Sequence, residues 1–376
     1  MEQTPDSNLA AEKDGIVDVL VLGGGPAGVA SAIIVARAGL TVVLVDRQTA
    51  PIQRDEMWPP QVRSILRSIG VWPHLTDAIG PPGCPGIQSA WGSDSLAVRD
   101  FITDPYGNGW SLEKRALTGP MLDAAKAAGV RTLPVTGAMR IDRADADWIL
   151  ISNQLPHGSV KTRFLIGATG RSAAPPGGPF GRRILFDRLV VAIRRIRHAD
   201  RSASAERRML IESCEMGWWY AIPAEDDSIS LGFVTDADLI VSRQDECERF
   251  WHGALAATTH GRKLMSVGSN LGPLRFSSAN SYCRPGFVGH NYLAVGDMAT
   301  ARDPLSGFGA KRALEFGMAA GKAVADQLCG DGTALKSYTK SVKDEFELYL
   351  RERLAYYTME RRWPHSPFWR RRLRDA

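Results

Sequence analysis

The chain has 376 residues, 44% hydrophobic and 23% charged, which excludes a disordered or fibrous protein and leaves length for two domains. Five scattered cysteines (Cys84, Cys214, Cys247, Cys283, Cys329) contain no C-x-x-C pair, which argues against a disulfide framework or a zinc site. A reducing, cytoplasmic setting without a bound metal is the simplest expectation. The net charge of +5 comes with no nucleic-acid-binding motif, so no nucleic-acid partner is expected. The opening MEQTPDSNLAAEKDG is too polar for a signal peptide. The longest apolar stretch, 16–45, is broken by Asp18, GGGPAG and Arg37, so no membrane span is expected.

The first predicted unit is IVDVLVLGGGPAGVASAIIVARAGLTVVLVD, residues 16–46. Its spacing predicts a buried strand, a glycine turn, a helix opened by Pro26 and closed by Gly39, and a second strand. Gly23-x-Gly25-x-x-Gly28 is the turn of a dinucleotide site. Gly23 allows the tight turn, Gly25 admits a pyrophosphate, and Gly28 lets the helix pack closely on the strand. The helix start, with Pro26 and Ala27, offers free N–H groups to phosphates. Asp46, with Arg47 beside it, closes the second strand where an adenosine ribose would be held. This unit alone does not choose between NAD and FAD.

Next comes DEMWPPQVRSILRSIG at 55–70, then a strand-like insert at 86–111. GWSLEKRALTGPMLDAAKAAG predicts a helix with Arg115 near its start, a cofactor contact or a solvent-exposed arginine. FLIGATGRS, 164–172, is an apolar strand ending in a tight turn with Ala168 and Gly170. Residues 182–282 read as a second insert. RRMLIESC, GWWYAIP and SISLGFVTD are consecutive antiparallel strands with AEDD as a hairpin turn. QDECERFWHGALAA is helical. Alternation puts Trp218, Tyr220 and Ile222 on one strand face, and Trp219 and Ala221 on the other.

NYLAVGDMATARDPLSGFGA, 291–310, has the form G-D-x6-P-x2-G-x-G and precedes the amphipathic helix AKRALEFGMAAGKAVADQL. Asp297 at the strand end can accept hydrogen bonds from hydroxyl groups of a ligand. Pro304, Gly307, Phe308 and Gly309 form a loop whose two glycines carry no side chain and leave room for a flat ligand to approach. A C-terminal helix spans 333–362. Arginines crowd the end (Arg351, Arg353, Arg361, Arg362, Arg370, Arg371, Arg372, Arg374) and read as a solvated helix end and tail, or as a docking surface for an acidic partner. His260 and His290, beside glycines, receive no role.

The second motif resembles that of the single-component aromatic hydroxylases and the flavin-dependent halogenases. FLIGATGRS resembles their A-T-G turn, except that Gly167 stands where an Asp often precedes Ala-Thr-Gly. DEMWPP is similar to their G-E-S-x-P-P segment. With SAWGSD, GWSLEK, GWWYAIP and GFVTDADL, the chain over about 16–370 resembles flavoproteins that mature tryptophylquinone cofactors in lysine oxidase, glycine oxidase and quinohemoprotein amine dehydrogenase.

The resemblance implies an α/β fold. It has a Rossmann-like FAD-binding domain of the aromatic-hydroxylase (glutathione-reductase-2) type, with an inserted antiparallel β-sheet substrate domain and a C-terminal helix. The boundaries are 13–85, 112–181 and 283–330 for FAD, 86–111 and 182–282 for substrate, and 331–376 for the C-terminal helix and basic tail. It implies an FAD-dependent monooxygenase that hydroxylates an indole-like ring through a flavin C4a-hydroperoxide. The electrons come from NAD(P)H or from reduced flavin supplied by a reductase, and the oxygen from O2. The substrate is a tryptophan of a partner polypeptide, an immature quinoprotein subunit. Trp218 and Tyr220 would wall the substrate side.

Glu56 is the candidate acid/base, matching the Glu of G-E-S; the alternative is a surface carboxylate in the polar QRDE loop. A small-molecule hydroxylase, a flavin-dependent halogenase and a non-catalytic flavoprotein chaperone are the rival readings. The halogenase is disfavoured because no lysine lies between Lys13 and Lys114, where the halogenating lysine of that family is expected. GWWYAIP also only partly matches the halogenase W-x-W-x-I-P, since Tyr220 fills the second tryptophan slot.

Overall fold

A computed structural model describes residues 15–47, 55–76, 83–198, 207–224, 226, 228–240, 244–265 and 268–373. The first sheet has the order Val288–Gly289, Tyr292–Ala294, Ser159–Gly167, Ile16–Leu22, Val42–Arg47, Arg131–Val135. Its central strands are parallel. Leu22 pairs with Val45 on one side and Gly167 on the other, and Gly167 pairs with Ala294. The pairing is dictated by near-continuous apolar runs that must be buried on both faces. An antiparallel hairpin, Arg140–Ala144 with Asp147–Ile151, extends this sheet from the edge of Ser159–Gly167.

Helix Pro26–Arg37 packs on helix Gly309–Leu328, and two glycines one turn apart make the approach close. A Cβ at Gly317 would stand 2.6 Å from the Ala27 carbonyl oxygen, and one at Gly321 would stand 2.6 Å from that of Ser31. The close fit aims both helix N-termini at one region beyond the strand ends.

The second sheet runs Gly268–Asn270, Leu189–His198, Ser228–Asp236, Gly217–Pro223, Met209–Cys214, Gly86–Ala90, Ala97–Asp100. The expected consecutive strands 209–214, 217–223 and 228–236 pair antiparallel. One departure from a purely antiparallel insert occurs: Met209–Cys214 pairs parallel with Gly86–Ala90, because the two inserts come from distant parts of the chain. Trp219 stacks on Phe233 at 4.7 Å and meets Trp251 of helix Gln244–Ala256 on one face. The other face carries Trp218, Tyr220 and Ile222.

The C-terminal helix spans Ala334–Met359 and is followed by a short helix, Pro367–Leu373. The solvated-tail expectation fails here. Phe368 and Trp369 are fully buried, and the Trp369 Nε1 donates to the Cys214 carbonyl at 2.8 Å. Arg372 and Arg371 bind Asp236 at 2.7 and 2.9 Å, and Arg362 pairs with Glu360 and Asp94. Arg353 bridges Asp187 and Asp303. Arg351, Arg361 and Arg370 do lie in solvent, and Arg374 lies outside the described residues. The physical reason is partner supply. Asp236 on the second sheet, Glu360, Asp187 and Asp303 are carboxylates shielded from water, and a paired cation offsets the cost of burying them.

Candidate active site

Strands Ile16–Leu22, Ser159–Gly167 and Tyr292–Ala294 end level with one another because they are parallel and in register. Each end passes into a glycine-containing turn. Three motifs far apart in the chain therefore meet at the carboxyl edge of one sheet, the usual ligand position of such sheets. A single cavity of about 730 Å³ lies there and continues under the second sheet.

At one end stand Gly23, Gly25, Pro26, Ala27, Asp46 and Arg47. Gly23 has φ +117°, and any Cβ there would sit 2.4 Å from the Ala168 carbonyl oxygen, so glycine is required. A Cβ at Gly25 would meet nothing within 4 Å, so the cavity leaves open space there. Gly28 does not line the cavity. Its Cβ would stand 1.9 Å from the Gly23 carbonyl oxygen, so it serves the helix–strand packing. The helix N-terminus carries no side-chain cap. Asp46 accepts from the Gly24 N–H at 3.1 Å, and burial raises its affinity for a proton above the ordinary aspartate range despite that bond.

In the middle stand Ala168, Gly170 and Asp297. Gly167, where the enzymes the motif resembles often carry an Asp, has little room for a side chain. A Cβ there would lie 2.6 Å from both the Met298 sulfur and the Phe180 ring. Asp297 lies 3.3 Å from Arg171 Nε and 3.4 Å from Arg312 Nη2. Sequence reasoning missed Arg171, Arg302 and Arg312 on this wall, although Arg171 directly follows the A-T-G turn. Pro304, Gly307, Phe308 and Gly309 complete this part, with Gly307 in the left-handed region at φ +68°. The helix that begins at Gly309 also lacks a side-chain cap, so its first N–H groups face the cavity mouth unclaimed by a side chain. Arg115 lies in the first turn of helix Lys114–Ala127, but its side chain lies outside what the structure describes.

The far wall is apolar: Met57, Val191, Met209, Tyr220 and Ile222. Tyr220 lines this wall. Its ring lies across Gly232, where any Cβ would stand 2.1 Å from Cζ, so Gly232 sets the ring's position. Trp218 corrects the expectation. It shares the face of Tyr220 but is fully buried away from the cavity, donating from Nε1 to the Tyr357 hydroxyl at 3.0 Å and packing near Trp91. The C-terminal helices close that end of the strand and leave the Tyr220–Ile222 end open.

Strand Asp55–Trp58 pairs with Trp110–Glu113 and brings two carboxylates to the cavity. Glu56 lies on the wall, 3.5 Å from Lys114 Nζ. Asp55, not singled out from sequence, is also on the wall and is buried. The available signal was that an acid stands at the glycine position of the G-E-S pattern.

The residues fit FAD. Open space at Gly25 and uncapped helix N-termini suit a pyrophosphate and an anionic ring, and Asp46 and Asp297 put carboxylate acceptors for hydroxyl groups on the same cavity. A family model described as FAD dependent oxidoreductase matches residues 18–51. The chain is 26% identical to a protein of Marinomonas mediterranea described as an FAD-dependent oxidoreductase, LodB, covering 94% of this chain and 96% of that one. The myxobacterial chondrochloren halogenase CndH superposes with a TM-score of 0.84 at 21% identity, over 95% of this chain and 86% of its own. The peptidyl tryptophan dihydroxylase QhpG, essential for tryptophylquinone cofactor biogenesis, superposes with a TM-score of 0.76 at 23% identity, over 95% and 79%. Among the described residues no helix is long and apolar enough to cross a membrane. With the cavity, its donor set and these likenesses together, the chain is an FAD-dependent oxidoreductase with the fold of the flavin-dependent halogenases and aromatic hydroxylases.

Proposed function

We propose that this enzyme is a monooxygenase that hydroxylates an indole-like ring, a tryptophan of a partner polypeptide during maturation of a quinone cofactor. The observation that carries this reading is the continuity of one cavity from the dinucleotide turn to an apolar wall of Met57, Val191, Met209, Tyr220 and Ile222. An aromatic ring finds apolar surface there and an aromatic partner in Tyr220. The likeness to QhpG, a peptidyl tryptophan dihydroxylase, supports the substrate class.

FAD, when bound, supplies the two electrons that activate O2, and it receives them from NAD(P)H or from reduced flavin made by a separate reductase. This chain's residues do the rest. Gly23, Gly25, Pro26, Ala27, Asp46 and Arg47 hold the ADP half. Ala168, Gly170, Asp297, Pro304, Gly307, Phe308 and Gly309 hold the ribityl and ring half. Segments 13–85, 112–181 and 283–330 then form the FAD domain, and 86–111 with 182–282 the substrate domain. Glu56 carries protons on the Lys114 side of the cavity. The apolar wall keeps water from the reacting ring.

The test is mass spectrometry of N-acetyl-tryptophanamide and of tryptophan-containing peptides after turnover under ¹⁸O2. Incorporation of one labelled oxygen is expected. Oxygen consumption without any oxygenated product would instead fit a flavoprotein chaperone. One observation favours a second reading. Lys114 stands on the cavity wall, so a lysine is present even though the 14–113 stretch contains none, and a halogenase is the alternative. Halogenated product in bromide-containing buffer, abolished by Lys114→Met, would establish it.

A further inference from the structure

Asp55 and Glu56 are neighbours on one short strand, so their side chains leave on opposite faces. Glu56 meets Lys114. Asp55 turns to the second sheet, its side chain 3% exposed. Its Oδ2 accepts from the Ser230 hydroxyl at 2.6 Å and lies 3.5 Å from Arg195 Nε. Arg195, Ser230 and Ile222 stand in register across adjacent strands, so this polar group sits on the same sheet face as Tyr220. Asp55 shares the cavity wall with Met57, Val191, Met209 and Ile222.

A carboxyl in such surroundings costs free energy unless it is paired. The pairing is divided, because Arg195 also binds Asp226 at 3.1 Å, and the Asp226 side chain is 55% exposed. Burial therefore dominates and raises the proton affinity of Asp55. The Ser230 bond and Arg195 oppose the rise, while the negative charges of Glu113 and Asp226 add to it. A buried carboxyl on the substrate wall, hydrogen-bonded to a hydroxyl that can reorient, has the attributes of a tuned base.

We propose that Asp55 is the catalytic base of the substrate half of the cavity, with Ser230 and Arg195 as positioning residues. This rests on the hydroxylase reading and names the group that completes it. In the step, a bond forms between a ring carbon and one oxygen atom derived from O2, and the O–O bond breaks. The ring carbon then loses its hydrogen as a proton to a carboxylate oxygen of Asp55, and the C–H electron pair returns to the ring. The other oxygen atom leaves as water; the reduced flavin supplies the two electrons and two protons, and Asp55 returns the proton it took, which together make up the hydrogens of the new hydroxyl and the water.

The test uses FAD-loaded full-length enzyme, reduced anaerobically with dithionite and mixed with oxygenated buffer containing N-acetyl-tryptophanamide. Product is counted by mass spectrometry per flavin reoxidised. Asp55→Asn keeps the shape and is expected to lower this yield about 100-fold, while the bound-flavin absorbance stays as in wild type. Ser230→Ala keeps the carboxyl but removes its donor, so the acid limb of the yield–pH profile is expected to move to higher pH, which loss of a packing contact alone would not do. Infrared difference titration of ¹³C-aspartate-labelled apoprotein should show, among the carboxyls that protonate above the ordinary aspartate range, one that is lost in Asp55→Asn while those of Asp46 and Asp303 persist in both proteins. Wild-type yield in Asp55→Asn, or no such carboxyl, overturns the Asp55 assignment and leaves the hydroxylase reading standing. A wild-type enzyme that forms no hydroxylated product overturns both.

Discussion

Gly317→Ala puts two opposed effects on one methyl group. In a free helix the change stabilises by about 0.5–1 kcal/mol, because alanine has less backbone entropy to lose. In this structure the new Cβ would stand 2.6 Å from the Ala27 carbonyl oxygen, 2.8 Å from the Ala30 Cβ and 3.1 Å from the Ala27 Cα. Carbon pairs attract only at roughly 3.5–4.0 Å, and these neighbours are a helix backbone and a methyl with no rotamer to escape into. Overpacking of this kind costs about 1–3 kcal/mol, so the net expectation is a loss on the order of 1–2 kcal/mol. Helices Pro26–Arg37 and Gly309–Leu328 must part, and both carry their N-termini to the cofactor cavity, so FAD affinity should fall as well. Gly253→Ala is the control. It lies exposed in helix Gln244–Ala256 with nothing within 4 Å of the added Cβ, and should stabilise by about 0.5–1 kcal/mol. Urea unfolding of the apoprotein and FAD fluorescence on release measure the two effects. A Gly317→Ala protein as stable as Gly253→Ala, with unchanged FAD affinity, would refute the close helix pairing.

Three further expectations are independent of this pair. Asp46→Ala should weaken FAD by roughly 1–3 kcal/mol, the range for a hydrogen bond to a charged group, and unchanged affinity by fluorescence titration would count against the ribose role. Trp369→Ala removes a fully buried ring bonded to the Cys214 carbonyl and should cost about 3–5 kcal/mol in urea unfolding; a loss below about 1 kcal/mol would mean that the C-terminal segment is not docked. Glu360 is buried, which alone would raise its pKa, but bonds from Arg362, Ser213 and the Gly92 N–H hold it down at about 2. Its contribution to stability is therefore complete above pH 4.5, the ordinary glutamate value, and lost as pH falls from there toward 2. Glu360→Gln should flatten that part of the stability–pH curve, and an identical acid limb in the variant would show that Glu360 does not titrate in this way.

The cofactor half of the site was legible in the chain itself. Gly23, Gly28 and Gly307 answer local steric demands, and the motif spacing reports those demands directly. The carboxyl ends of three parallel strands then had to converge, since their apolar runs pair in register. The departure at Gly167 was visible in sequence but became explicable only when Met298 and Phe180 were seen filling the space a side chain would need.

The substrate half was less legible, because its decisive contacts join residues far apart. Alternation correctly put Trp218 and Tyr220 on one face, yet it could not say which end of that face stays open. Docking of Tyr357 on Trp218, and of Trp369 on the Trp91 that packs near it, more than a hundred residues later, leaves Trp218 buried and Tyr220 on the wall. Asp55 met its hydroxyl partner across 175 residues, and Lys114 reached Glu56 only through strand pairing with Trp110–Glu113. The arginine-rich end read as a tail because charge by itself favours water; buried Asp236 and Glu360 reverse that preference by offering partners that water cannot match inside the fold. Local backbone chemistry thus determined from sequence alone where the glycine turns lie and that they have the form of a dinucleotide site. Burial and long-range pairing, which no short window of residues contains, decided which side chains line the cavity.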